Sequence, residues 1–249
     1  MTIAADLRIV DDLRGLSQAA AEEFVNQATG TVRANGRFTV ALSGGSTPKS
    51  LFSLLATTFR DQLPWDKMFF FWGDERHVPP DHPESNYRMA YEALLSRAPV
   101  SAENVFRVSA ENPDAKQAAA DYEYTLRKFF QLSPGTFPRF DLILLGMGPD
   151  GHTASLFPGT SALQENSRLV VANWVEKFKA DRITLTLPVL NNAGVVTFLV
   201  GGADKAETVR EVLEGTQPVE LFPSKLIHPT NGRLMWMLDQ AAAAALSKP

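Results

Sequence analysis

FDLILLGMGPDGHTASLFPG, residues 140–159, combines a fully apolar run with a glycine-rich loop. Its first part, DLILLG, is apolar without polar alternation, which is typical of a central parallel strand covered by helices on both faces. Gly146, Gly148 and Gly151 then permit tight turns and the close approach of a ligand. Because ligands collect at the carboxyl ends of strands in open α/β sheets, we predict that His152 lies in a functional site. The alternative is a loop histidine that only caps a turn.

The pattern on either side of this segment predicts alternating strands and helices. Strands are predicted at residues 39–42, 68–72, 142–145, 169–172, 183–187, 195–200 and 234–238, and helices at 17–35, 48–60, 85–97, 113–131 and 205–214. This alternation indicates an α/β three-layer sandwich with a largely parallel, Rossmann-like sheet flanked by helices. We expect a single domain over residues 1–249, with a small additional lobe around 112–138 and a short terminal helix at 241–245.

Composition limits the classes of function. The 249 residues are 45% hydrophobic and 21% charged, which is ordinary for a globular protein. The net charge of −4 gives no electrostatic footprint for nucleic acid. The chain has no cysteine, so disulfides, thiolate nucleophiles and thiolate metal sites are excluded. The amino terminus, MTIAADLRIVDDLRG, lacks the apolar core of a signal peptide, and no apolar stretch reaches membrane-spanning length. We therefore expect a cytoplasmic protein without nucleic-acid or membrane partners.

Segment 42–52, LSGGSTPKSLF, predicts an anion site. A strand breaks at two glycines, and a helix begins near Pro48, which suits the first helical position, with Ser46 or Thr47 as the cap. Exposed amides, small hydroxyl residues and the positive end of the helix dipole favour a phosphate. The spacing is not that of a P-loop. A capped turn without a ligand is the alternative.

A cluster of charged residues follows the predicted aromatic strand at 68–72. Asp74 and Arg76 follow Gly73, and such a cluster is either a salt-bridged loop or part of a substrate site. The planar guanidinium of Arg76 suits it to clamp a phosphate or to polarise a carbonyl oxygen. We interpret His77 and the later His82 as loop residues, since they have no metal-ligand spacing.

The loop after Leu145 carries both Asp150 and His152. A neutral histidine can deprotonate water and later return the proton to a leaving oxygen, and Asp150 could orient that imidazole or only fix the loop. Lys205 starts a helix in VGGADKAETV, where a cation is disfavoured by the dipole unless an anion is near. Arg182 could reach the same rim, although a solvated arginine at a strand end is the alternative.

Five segments in order resemble the 6-phosphogluconolactonase family of the pentose phosphate pathway: LSGGSTPKSLF, WGDERHVPPDHPESNYRMA, LLGMGPDGHTASLFPG, RITLTLP and VGGADKAETV. The resemblance runs from about residue 42 to residue 214. It implies the α/β sandwich shared with glucosamine-6-phosphate deaminases and ribose-5-phosphate isomerases. Because one fold can host several reactions, the function must still be argued from the site.

One departure separates the chain from the related deaminases. Their Asp-Gly-His segment is followed by a short stretch ending in Asn-Glu-Pro, whose glutamate helps to open the sugar ring. Here the corresponding residues are Leu156, Phe157 and Pro158. Phe157 cannot carry a proton, so the acid-base set for deamination is incomplete, and the resemblance favours the lactonase.

The resemblance implies hydrolysis of 6-phospho-D-glucono-1,5-lactone to 6-phospho-D-gluconate, with no metal or other cofactor. Our hypothesis is that His152 activates water and then protonates the departing ring oxygen, while Arg76 or loop amides stabilise the oxyanion. Asp74 would orient Arg76 or bind sugar hydroxyls. The 6-phosphate would be held by Ser43, Gly44, Gly45, Ser46, Thr47, Lys205 and Arg182.

Two rival functions remain open at this stage. A glucosamine-6-phosphate deaminase or isomerase would use the same scaffold for a different reaction. A non-catalytic sugar-phosphate sensor would bind without turnover, although no helix-turn-helix segment or basic face accompanies the fold. We expect a monomer or a weak homo-oligomer, whose small-molecule partner is the sugar-phosphate lactone.

Overall fold

The computed structural model describes residues 5–247, in which strands and helices alternate along most of the chain. Within that range the nine strands are β1 (Asp6–Val10), β2 (Phe38–Leu42), β3 (Met68–Trp72), β4 (Asp74–Arg76), β5 (Leu142–Leu145), β6 (Val170–Val175), β7 (Ala180–Leu185), β8 (Val195–Val200) and β9 (Arg233–Asp239). The six α-helices there are α1 (Leu13–Asn35), α2 (Ser46–Ala56), α3 (Asn86–Ala90), α4 (Ala115–Phe130), α5 (Leu187–Leu190) and α6 (Ala206–Glu214). None of these helices is both long and apolar enough to cross a membrane.

Six parallel strands form the main sheet in the order β1-β9-β8-β5-β2-β3. Every residue of β2 and β5 is buried, as expected for central parallel strands covered on both faces. The predicted α/β class with a largely parallel sheet flanked by helices is therefore confirmed. The exposed edge strand β1 was not predicted from the sequence.

The strand order reverses at β2, because β3 lies on one side of it and β5 on the other. Leu42 pairs with Trp72, and Ala41 pairs with Ile143, so the three strands end at one edge of the sheet. In open α/β sheets, such a reversal opens a crevice at the carboxyl ends of the strands. The loops that follow β2, β3 and β5 therefore start as neighbours.

A second sheet of three antiparallel strands has the order β4-β7-β6. The strands predicted at 169–172 and 183–187 exist as β6 and β7, but they belong to this sheet and not to the parallel one. Only residues 176–179 separate them, and such a short connection can join antiparallel but not parallel strands. Helix α4, within the predicted lobe 112–138, packs against β6 and β7. The division into a single domain with a lobe stays a prediction.

The helix predicted at residues 241–245 is wrong, because this alanine run forms turns. The Ala243 N–H donates to the Asp239 carbonyl, but the Ala244 N–H donates to the Ala241 carbonyl, so the i→i−4 hydrogen-bond pattern of an α-helix does not continue. The Asp239 carboxylate instead accepts a hydrogen bond from the Ala242 backbone N–H at 2.7 Å. Turn residues therefore follow β9 directly.

Tyr122 on α4 forms two hydrogen bonds with the backbone of Trp72 at the outer edge of β3. Its hydroxyl donates to the Trp72 carbonyl at 3.1 Å and accepts from the Trp72 backbone N–H at 2.8 Å. Burial raises the pKa of Tyr122 well above its ordinary value, so the phenol stays neutral. Because β3 is an edge strand, these two bonds replace strand pairing just before the chain enters the second sheet.

Replacing Tyr122 with phenylalanine should lower the free energy of unfolding by about 1–3 kcal/mol, because a buried amide and carbonyl lose their partner. Urea denaturation measures the change. Tyr124→Phe is the matched control, since the Tyr124 side chain is 68% exposed, and it should change stability by less than about 0.5 kcal/mol. Equal stability of the two variants would contradict the assigned role of Tyr122.

Candidate active site

A cavity of about 190 Å³ opens where the loops after β2, β3 and β5 meet. Six of its lining residues belong to the site predicted from the sequence: Ser43, Gly44, Gly45, Asp74, Arg76 and His152. Sequence reasoning missed Asn86, Met147 and Ala154, which also line it. A larger groove of about 1120 Å³ lies beside β1, α1 and α2, and none of the predicted site residues lines it. The smaller cavity is therefore the candidate site.

Asp150 and His152 form a hydrogen-bonded pair beside this cavity. Asp150 Oδ1 contacts His152 Nδ1 and also accepts from the His152 backbone N–H at 3.3 Å. Gly151, with φ of +75°, turns the chain between them in a conformation that favours glycine. The second carboxylate oxygen, Oδ2, lies 3.3 Å from Lys177 Nζ. The carboxylate thus bridges the imidazole and an ammonium group.

The protonation of this pair follows from its surroundings. Burial raises the pKa of Asp150, but the hydrogen bond and charge of His152, together with the charge of Lys177, bring the pKa well below its usual range. An ionised carboxylate only accepts hydrogen bonds, so the proton in this contact belongs to Nδ1 of His152. In the neutral ring, Nε2 then keeps its lone pair. His152 is therefore oriented as a base.

Packing also holds the imidazole in place. The Phe157 ring stacks on it, with centroids 4.1 Å apart and planes 21° from parallel. Phe178 packs edge-on against Phe157 at 5.8 Å. A Cβ atom added at Gly148 would overlap the His152 ring and lie 2.7 Å from Asp150 Oδ1. The pair therefore requires glycine at this position.

Two buried hydroxyl groups fix the backbone around Asp150. The Thr208 hydroxyl donates to the Pro149 carbonyl at 2.7 Å. The Ser224 hydroxyl and backbone N–H each donate to the Gly151 carbonyl at 2.9 Å. These contacts come from α6 and from the segment before β9, so the carboxyl-terminal part of the chain supports the loop.

Asp74, the first residue of β4, lies in the cavity wall. Its Oδ2 accepts from the Ser155 hydroxyl at 2.6 Å, and its Oδ1 lies 3.4 Å from Asn86 Nδ2. Within residues 5–247, Asp74 makes no hydrogen bond to Arg76. The Asp74 carboxylate is thus held beside the cavity by Ser155, in the loop after β5, and by Asn86, on α3.

The buried carboxylate of Glu75 is held by three backbone N–H groups. Its carboxylate accepts from the backbone N–H groups of Asn86 at 2.7 Å, Tyr87 at 2.8 Å and Arg76 at 2.8 Å. Burial raises the pKa of Glu75, although these hydrogen bonds oppose the rise. Glu75 does not line the cavity; it anchors the start of α3, which carries Asn86.

Arg76 and Arg182 are register partners on β4 and β7. Arg76 Nη1 donates to the Glu84 carbonyl at 2.5 Å, and Arg182 lies over the Phe178 ring at 5.1 Å. Burial and the charge of Arg76 lower the pKa of Arg182. In the described part of the chain neither guanidinium forms an ion pair with a carboxylate. Two neighbouring guanidinium groups without such partners favour an anionic ligand.

The start of α2 differs from the expected one. The helix begins at Ser46, so Pro48 is not the first helical residue. The N-cap is Gly45 and not Ser46 or Thr47, and its φ of +106° is a conformation that favours glycine. Among the described residues, no side chain caps this helix, which leaves amide groups of its first turn available to an anion. Ser43 Oγ, just before, is buried without a hydrogen-bond partner.

Lys205 is the N-cap of α6, and its Nζ pairs with Asp204 Oδ2 at 3.0 Å. The chain itself thus supplies an anion beside a cation at a helix start. Lys205 and Arg182 do not line the cavity. His77 lies outside it too, with Nε2 at 2.6 Å from the Asn112 carbonyl oxygen. No cluster of three or more His, Asp or Glu side chains suited to a metal ion occurs in residues 5–247.

Comparison with known proteins identifies the family of this chain. Residues 11–236 match the family model of glucosamine-6-phosphate isomerases and 6-phosphogluconolactonase. A 6-phosphogluconolactonase from Nostoc is 43% identical over 241 residues, covering 97% of this chain and 98% of the relative. A 6-phosphogluconolactonase structure from Trypanosoma cruzi superposes with a TM-score of 0.87 at 31% identity, covering 100% of this chain and 99% of the other.

A monomeric glucosamine-6-phosphate deaminase shares the fold, with a TM-score of 0.78 at 22% identity over 96% of this chain and 99% of its own. At that identity the similarity concerns the fold alone. The extent of the family match and the identity to the Nostoc relative are decisive. This chain belongs to the glucosamine-6-phosphate isomerase/6-phosphogluconolactonase family.

Proposed function

We propose that this protein hydrolyses 6-phospho-D-glucono-1,5-lactone to 6-phospho-D-gluconate. The observation that carries the proposal is the Asp150–His152 pair beside the cavity, because it leaves Nε2 of His152 available to accept a proton from water. Two relatives that are 43% identical over 241 residues and 44% identical over 218 residues are 6-phosphogluconolactonases.

The reaction needs one base that later acts as an acid. Nε2 of His152 accepts a proton from water as the water oxygen attacks the lactone carbonyl carbon. The carbonyl oxygen becomes an oxyanion, which Arg76 or loop amides stabilise. The bond between that carbon and the ring oxygen then breaks, and the imidazolium returns its proton to the ring oxygen. The Asp150 carboxylate stabilises the transient imidazolium.

The phosphate end of the substrate would lie at the start of α2. The residues from Ser43 to Thr47 offer backbone N–H groups and hydroxyls next to the positive end of the helix dipole. Arg182 would supply a second positive charge, since its guanidinium is half-buried and has no carboxylate partner in the described chain. Lys205 would contribute only after release from Asp204.

The stacking of Phe157 on His152 supports hydrolysis over deamination. Phe157 occupies the face of the imidazole and is 6% exposed, so no proton-carrying side chain stands at that position. Ring opening of an amino sugar needs such a group, whereas the lactone already has its reactive carbonyl. A cytoplasmic location and a monomeric or weakly associating state stay proposals, and one relative is a chloroplastic enzyme.

A pH-stat assay with freshly prepared 6-phosphogluconolactone tests the function. We expect acid release well above the spontaneous rate, because this lactone also opens unaided in water. No ammonia should appear when glucosamine 6-phosphate is the substrate. Release of ammonia at a comparable rate would establish the deaminase instead, and tight binding of 6-phosphogluconate without turnover of the lactone would indicate a sensor.

A further inference from the structure

Asn86, the first residue of α3, stands between the loops after β2 and β3. Its side chain is buried, with the residue 2% exposed. The backbone N–H donates to Glu75, and Nδ2 donates to the Asp74 carbonyl at 2.9 Å. These contacts fix the orientation of the amide: Nδ2 faces Asp74, and Oδ1 faces away from it. Asn86 is also part of the cavity wall.

Asn86 Oδ1 is a buried acceptor without a hydrogen-bond partner in the described chain. Oδ1 lies against Gly44, where an added Cβ would overlap Oδ1 itself. Buried polar atoms in native proteins are nearly always hydrogen-bonded, and those that are not call for an explanation. A ligand in the cavity would supply the missing donor.

The chemistry of the missing donor distinguishes the parts of a sugar phosphate. An amide oxygen can only accept, and the fully ionised phosphate of a monoester has no proton to donate. A sugar hydroxyl has one proton to donate. The neighbouring Ser43 hydroxyl, also buried and unpartnered, can donate to either group. Oδ1 of Asn86 therefore fits the polyol part of the substrate and not its phosphate.

We propose that Asn86 is a specificity-determining residue whose Oδ1 accepts a hydrogen bond from one ring hydroxyl of the sugar-phosphate lactone. This rests on the proposed function and adds to it the selection among lactones. A substrate without that hydroxyl leaves a buried acceptor unpaired, which sites of this kind penalise strongly. We expect a loss of about 10- to 100-fold in affinity.

Calorimetric titration tests the proposal without requiring turnover, so its outcome is independent of the lactonase assay. The ligands are 6-phosphogluconate, its 2-deoxy, 3-deoxy and 4-deoxy analogues, and methyl phosphate, a phosphate monoester without hydroxyl groups on its carbon. The unsubstituted protein should bind one deoxy acid about 10- to 100-fold more weakly than 6-phosphogluconate. Asn86→Ala should weaken the binding of 6-phosphogluconate by a similar factor, abolish the discrimination against that deoxy acid, and leave the affinity for methyl phosphate unchanged.

Asn191→Ala is the matched control. Both ends of the Asn191 amide are used, with Nδ2 at 2.9 Å from the Leu226 carbonyl and Oδ1 at 2.6 Å from the His228 backbone N–H, and Asn191 does not line the cavity. Its loss should leave all affinities unchanged. Equal weakening of methyl phosphate and 6-phosphogluconate binding by Asn86→Ala would overturn the proposal. So would equal binding of all four acids to the unsubstituted protein, a result that needs no variant to fold.

Discussion

Replacing His152 with alanine should lower the catalysed rate of lactone hydrolysis by about 10²- to 10⁴-fold, the usual contribution of a general acid-base group. His152 lines the cavity, and its Nδ1 is occupied by Asp150, so Nε2 is the ring atom that can move the proton. KM should change little, because alanine leaves the residues from Ser43 to Thr47 at the start of α2 in place. The pH-stat assay measures both constants after subtraction of the spontaneous rate.

His77→Ala is the matched control for this prediction. His77 follows the same edge of the main sheet but binds the Asn112 carbonyl at 2.6 Å, outside the cavity. Its rate should stay close to that of the unsubstituted protein. The proposed mechanism fails if folded His152→Ala retains more than about a tenth of the catalysed rate, since a general base contributes far more than that.

The main sheet could be predicted from the sequence because its strands carry their own signal. Residues 142–145 and 195–200 are apolar runs that match β5 and β8 at both ends. The second sheet could not be predicted in this way. β4 is only Asp74–Arg76, a charged triplet without strand character, and it is a strand because it pairs with β7. Strand partners are set by tertiary contacts, which periodicity does not encode.

The candidate site was predictable to the extent that its residues lie in segments that directly follow strands of the main sheet. Asp74, Arg76 and His152 were found in this way, and all three line the cavity. Asn86 was missed, because it lies in PESNYRMA, ten or more residues beyond the strand end, and reaches the cavity only through the anchoring of α3 by Glu75. The hydrogen bond between Glu75 and the Asn86 backbone, which brings Asn86 to the cavity, cannot be read from the sequence.

Lys177 and Phe178 were missed for a different reason. They lie in the turn between β6 and β7, which the sequence analysis did not connect with the His152 loop. The antiparallel pairing of the second sheet brings Lys177 to Asp150 and Phe178 to Phe157. Phe157 was predicted only as the absence of a proton-carrying group. Its stacking on His152 gives it a positive role in orienting the base.

The carboxylate of Asp150 should matter almost as much as the imidazole that it orients. Asp150→Asn is expected to lower kcat by about 10²- to 10⁴-fold, because an amide N–H can donate to Nδ1 and hold the proton on Nε2 instead. That tautomer presents a donor to the water and cannot act as a base. KM should again change little. Measurement of kcat and KM for lactone hydrolysis by the variant tests this expectation.

Lys177→Ala separates orientation of the imidazole from the charge around Asp150. It removes the ion pair to Oδ2 but leaves the contact between Oδ1 and Nδ1, and the Lys177 side chain is 60% exposed. Exposed ion pairs contribute about 0–1 kcal/mol, so kcat should fall by less than about fivefold. If Lys177→Ala and Asp150→Asn lowered kcat equally, charge and not tautomer would be the contribution of Asp150.

The depressed pKa of Asp150 gives the same pair of residues a signature in stability. A carboxylate whose pKa is lower in the folded state stabilises the fold above its unfolded pKa, about 3.9, and this stabilisation is lost as the pH falls through the folded value. The difference in unfolding free energy between the unsubstituted protein and Asp150→Asn should therefore shrink as the pH falls below about 4. A difference that grew in acid would mean that Asp150 is not held ionised by His152, and the orientation of the base would lose its physical cause.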